Sequence, residues 1–196
     1  IAACEYGSDK GIFGYGTTGS VVSMTNLVSN AGVVATDVTG VGTARRGTAA
    51  CKYSDDKGIF GYGNTGSASS LTNLVSNVGV VATDTTGVGT ARWDLAACEY
   101  GGDKGIFGYG LTPSVVSMTN LVSNVGVIGT DVTGVGTVKK DLAACSYGVD
   151  KGIFGYGNNG SSNVSLTNLV SNAGVVATDV TGVGTARYYL AACSYN

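Results

Sequence analysis

The sequence predicts an all-β fold, a propeller whose blades are four-stranded antiparallel sheets. Three observations predict it. One pattern recurs every 47 residues or so: DKGIFGYG begins at Asp9, Asp56, Asp103 and Asp150, and TNLVSN at Thr25, Thr72, Thr119 and Thr167. TGVGT follows at Thr39, Thr86, Thr133 and Thr181. Repeats of this length mark solenoids, arrays and propellers. Second, no window keeps a 3.6-residue apolar period over helical length, and glycine, 33 of 196 residues, interrupts every candidate helix. Third, short runs rich in Val, Thr, Tyr and Ile are separated by turn residues, which is how short strands read.

The repeats divide a single domain into blades at approximately residues 1–47, 48–94, 95–141 and 142–189. The third blade shows each element. Leu95 to Tyr100 is a first, inner strand, and Gly101-Gly102-Asp103-Lys104 a turn. Lys104 to Tyr109 is a second strand, and Leu111 to Ser114 another turn. Val115 to Ser123 is a third strand and Val127 to Val132 a fourth. Loops this short require an antiparallel meander. Runs such as LAAC and GIF are apolar or small at every position, so both faces of the sheet are expected to be covered. A propeller covers both, with LAAC nearest the axis. A stacked β-solenoid is the alternative. It would align Asp37, Asp84, Asp131 and Asp179 into one column about 4.8 Å apart, and like charges on adjacent strands destabilise a sheet.

LAACxYGxDKGIFGYG resembles the first two strands of the kelch repeat, with Gly-Tyr-Gly where kelch has a Gly pair. Thr43 to Arg45, Thr90 to Arg92 and Thr185 to Arg187 resemble the basic residue before the next inner strand, and Lys139 takes that place in the third linker. The usual Trp of the fourth strand is missing; Val33, Val80, Val127 and Val175 lie in that region. The resemblance covers the whole chain and implies a propeller. Kelch-like copper oxidases use His and Tyr ligands, and a chain with no His cannot carry that chemistry over. The Gly/Thr-rich repeats are also loosely similar to those of phage tail proteins and of surface proteins of environmental bacteria.

The inner strand occurs five times, the others four: AAC stands at Ala2, Ala49, Ala96, Ala143 and Ala191. The extra inner strand, 190–196, fits the start of a further blade, an exchange with a neighbouring copy, or a strap over the first blade. An unpaired edge is a template for association. The expected partners are therefore other protein subunits or copies of this chain, with glycans second. The chain is expected to be part of something larger, extracellular or particle-associated.

Charged residues are 12% of the chain and the net charge is −2, so no basic field attracts nucleic acid. No run approaches the roughly 18 apolar residues of a membrane span. Without His or a CxxC pair, metal, Ser/His/Asp and Cys/His chemistry lose their ligands and bases. No cofactor and no enzyme activity is expected. The four repeated Asp residues share one environment, which does not push pKa values apart as acid–base catalysis needs. They are expected to accept hydrogen bonds in the turn before TGVGT. Five cysteines at one apolar repeat position read as buried thiols, with Cys4–Cys193 the one pair able to close a ring.

Two stretches vary between repeats. One follows GIFGYG: Thr17-Thr18-Gly19, Asn64-Thr65-Gly66, Leu111-Thr112-Pro113 and Asn158-Asn159-Gly160. The other precedes the inner strand and gathers the candidate binding residues Arg46, Trp93, Lys140 and Tyr188, of types favoured as interface anchors. Asn159 and Asn163 fit the N-glycosylation pattern. Tyr15, Tyr62, Tyr109 and Tyr156 would serve a carbohydrate-binding propeller if their rings were exposed.

Overall fold

The computed structural model describes residues 1–194. These residues form four antiparallel sheets of three strands and no helix. The first contains β1 (Ala2–Tyr6), β2 (Lys10–Thr17) and β3 (Val21–Val28), and the second β4 (Ala49–Tyr53), β5 (Lys57–Asn64) and β6 (Ala68–Val75). The third contains β7 (Ala96–Tyr100), β8 (Lys104–Gly108) and β9 (Thr119–Val122). The fourth contains β10 (Ala143–Tyr147), β11 (Lys151–Gly155) and β12 (Thr167–Val170). Each is a meander in chain order, with the same register: Cys4 faces Ile12, Cys51 faces Ile59, Cys98 faces Ile106 and Cys145 faces Ile153.

The expected fourth strand is not a regular strand. Val38 bridges Thr25 and Val34 bridges Val28, so Asn26 and Leu27 face three residues, Ala35, Thr36 and Asp37. The extra residue is a bulge, which interrupts the ladder. The Asn26 amide fills the interruption by donating to Ala35 O (3.2 Å) and Asp37 Oδ1 (2.8 Å). The other three repeats do the same with Asn73, Asn120 and Asn168. Each blade thus has three strands and a bridged edge segment.

A second irregularity lies in GYG. The β2–β3 register shifts between Gly14 and Gly16, so Tyr15 faces both Ser23 and Met24. Tyr15, Tyr62, Tyr109 and Tyr156 all take left-handed backbone, with φ of 62°, 62°, 65° and 62°. That conformation costs a non-glycine residue about 1–2 kcal/mol. Here it turns the ring out of the pleat and into the gap between sheets.

Successive sheets pack face to face through one repeated lock. A Cβ on Gly58, Gly105 or Gly152 would stand 2.6 Å from the Sγ of Cys4, Cys51 or Cys98 in the preceding sheet, so the thiol needs glycine there. Phe60 lies on Gly14 and meets Tyr15 edge-on at 5.2 Å; Phe107 and Phe154 repeat this on Tyr62 and Tyr109. Arg45 is stacked 4.2 Å over Tyr15 and donates through Nε to Tyr62 O at 2.7 Å and through Nη2 to Asn73 Oδ1. Arg92 does the same with Tyr62, Tyr109 O and Asn120. Lys139 reaches Asn168. Arg45, Arg92 and Lys139 are fully buried.

The ring does not close. The inner strands β1, β4, β7 and β10 lie side by side in that order. Phe13, however, is 40% exposed, while Phe60, Phe107 and Phe154 are fully buried. Among the described residues only Thr167 approaches a Cβ on Gly155, whereas its three counterparts each carry a Phe ring. The expected propeller of four-stranded blades is therefore an open arc of three-stranded sheets. Ala191 to Ser194 of the predicted extra inner strand are exposed and outside any strand. Residues 195 and 196 of that prediction lie outside the described residues.

Candidate functional site

The two stretches that vary between repeats meet along one edge. Arg46 pairs through both backbone groups with Asn64, Trp93 with Leu111, and Lys140 with Asn158. Successive turns are also tied to each other. Asp94 N donates to Gly47 O, Asp141 N to Asp94 O, and Tyr189 N to Asp141 O, at 2.9–3.0 Å. Arg46, Trp93, Lys140 and Tyr188 thus belong to one continuous row. Direct contact joins two of them, the Arg46 guanidinium standing 5.8 Å from the Trp93 ring centroid. Lys140 Nζ lies 3.6 Å from Asp141 Oδ2, and Tyr188 packs on Tyr189 with ring centroids 4.7 Å apart.

Sequence reasoning missed the acids in this row. Burial, reinforced by the neighbouring Asp141 carboxyl, pushes Asp94 up to about 7, against the pull of Lys140 and Arg46. Asp94 and Asp141 stand only in the second and third repeats; Gly47 and Tyr189 occupy the other two positions. That asymmetry was the available signal.

A second set of variable residues lines the concave side of the arc. All five Ala-Ala-Cys segments border one cavity of about 390 Å³. The residue after each Cys faces the same cavity: Glu5, Lys52, Glu99, Ser146 and Ser194. Lys52 Nζ lies 3.5 Å from Glu99 Oε2 and 4.0 Å from Glu5 Oε2. Burial raises the Glu99 carboxyl, and Lys52 opposes that shift. Ser146 and Ser194 share a 2.7 Å hydrogen bond. The sequence signal was one changing position inside an otherwise constant strand.

Asp84, Asp131 and Asp179 do accept hydrogen bonds, but across repeats: each takes the backbone N and hydroxyl of Thr43, Thr90 or Thr137 from the preceding blade. Burial raises their carboxyls; the Thr and Asn donors outweigh it and hold them below the usual range. Tyr15, Tyr62 and Tyr109 are buried and offer no ring face to a ligand. Arg187 covers Tyr156 at 4.3 Å. All five cysteines are free thiols. Cys51 and Cys98 are buried and pushed up by desolvation, and Cys193 is exposed. Asn159 folds its amide oxygen back onto Ser161 N and Ser162 N, and Asn163 is exposed beside it. Among the described residues no group of three or more His, Cys, Asp or Glu could hold a metal ion, and no helix is long and apolar enough to cross a membrane.

No protein-family model matches the chain, and no curated protein matches it.

Proposed function

We propose that this chain is a non-enzymatic repeat scaffold, a structural or binding module of a larger extracellular or particle-borne assembly, that meets its partner through the row of variable turns. One observation carries the reading. Residues repeated from blade to blade hold neighbouring blades together, while the two variable turn stretches meet along one edge. Variable loops on a rigid scaffold are where specificity resides. The kelch-like propeller is the finer architectural reading; side-by-side inner strands around one cavity support it. Asp94 and Asp141 lie outside the cavity that the Ala-Ala-Cys segments border.

The test separates edge from scaffold. Replacing Arg46, Trp93, Lys140 and Tyr188 together by Ser should leave the melting temperature within a few degrees of wild type. A large drop would make the row structural and remove the reading. A glycan array probed with the wild-type chain should be blank; a hit that survives the fourfold replacement would transfer the protein to the carbohydrate-binding alternative.

A further inference from the structure

The lock between blades has two unlike halves, and the chain leaves one of each open. On the first sheet Phe13 is exposed, and among the described residues no neighbouring donor reaches the Asn26 side-chain oxygen and Asp37 receives no threonine. On the fourth sheet Gly155 lacks its Phe. There Arg187 is exposed and, among the described residues, keeps only the bond to Thr185 O, of the three that Arg45 and Arg92 each make. These are the two sides of the junction made three times inside the chain. Charge is complementary as well, an acid on one end and a base on the other.

We infer that a second copy of this chain docks head to tail, the first sheet of one copy seating on the fourth sheet of the next and making a fourth lock between molecules. Phe13 then covers Gly155 and meets Tyr156 edge-on. Arg187 donates to Tyr15 O and Asn26, and Thr185 donates to Asp37. Strand β1 keeps its five pairs with β2. The exposed segment Ala191 to Ser194, which belongs to no strand, is the piece that yields at the junction. Such an interface is heterologous and repeats without closing unless the rotation completes a ring. This rests on the assembly reading above and names the partner.

The experiment is light scattering after size exclusion, over a concentration series. Wild type should give masses at multiples of the chain mass that grow with concentration. Phe13→Ala removes the head and Gly155→Ala blocks the tail, each weakening association roughly a hundredfold or more. Both should be monomeric with unchanged melting temperature, since Phe13 is half open and a Cβ on Gly155 meets only Thr167, at 3.2 Å. Mixed together, they should form one capped heterodimer of twice the chain mass, because each retains the half the other lacks. Wild type monomeric at every concentration overturns the inference and leaves the turn-row reading intact. Oligomers that ignore both substitutions overturn the lock while leaving assembly standing, and a mixture that stays monomeric overturns the head-to-tail polarity.

Discussion

Lys139 is the one departure from a three-times-repeated arginine, and replacing it by Arg should stabilise the protein. Arg45 and Arg92 each donate three hydrogen bonds, to a tyrosine carbonyl, an asparagine side chain and a threonine carbonyl. Lys139 donates one, to Asn168, and stacks 4.7 Å from the Tyr109 centroid. A compact ammonium cannot fork to the remaining acceptors. Two recovered charge-assisted bonds at about 1–1.5 kcal/mol each give about 2–3 kcal/mol. For a chain of this length that is a rise of about 4–12 °C in melting temperature. Arg92→Lys should lose a similar amount. A pH signature accompanies the change. Burial, against the pull of Asp179, pushes Lys139 down to about 8, below the roughly 10.4 of an unfolded lysine. Between those values the unfolded chain holds the proton more tightly, so wild-type stability gains from Lys139 as pH rises from about 8 to 10. Arginine stays charged, and that contribution disappears. Urea unfolding of both proteins at pH 7, 8, 9 and 10 reads the difference, with thiol and tyrosine titrations cancelling between them. A Lys139→Arg protein no more stable than wild type, with an identical pH slope, would refute the reasoning.

Three further perturbations have definite outcomes. Thr48 stands where two later blades carry Leu95 and Leu142, and its buried hydroxyl lacks a hydrogen-bond partner; Thr48→Val should raise stability by about 1–2 kcal/mol in denaturant titration. Gly61→Ala puts a Cβ 2.7 Å from Phe107 Cζ between two sheets and should lower stability by about 1–3 kcal/mol, while Gly155→Ala should leave it unchanged. Asp94, held near 7 in the fold but near 3.9 when unfolded, favours folding while protonated. Stability should fall as pH rises from about 4 to 7, and Asp94→Asn should flatten that part of a melting-temperature profile.

Much of the fold was legible because it is periodic. The 47-residue spacing located the inner strand and second strand of every blade to within a residue or two: Leu95 to Tyr100 against β7, Lys104 to Tyr109 against β8. The fourth strand was not legible, because Val127 to Val132 reads as a strand by residue type, whereas its pairing is broken by a bulge that a side chain, Asn120, completes. The Asp residues were read as turn acceptors, since sequence spacing does not show that Thr43 lies beside Asp84, 41 residues away. The variable turns were found, but that the two stretches form one edge, with Asp94 and Asp141 in it, depends on pairings between blades.

By itself the sequence determined the repeat, the strand order within a blade and the absence of helix, because these follow from local periodicity, turn chemistry and glycine content. The tertiary structure decided what lies between blades. Which glycine receives a thiol or a phenyl ring, why tyrosine adopts a left-handed backbone, and why arginine is buried without an acid in hydrogen-bonding contact all depend on surfaces about one repeat apart in the chain meeting face to face. The open ends are decided there too: Phe13 and Phe154 have the same local sequence, and only the presence of a neighbouring sheet makes one exposed and the other core.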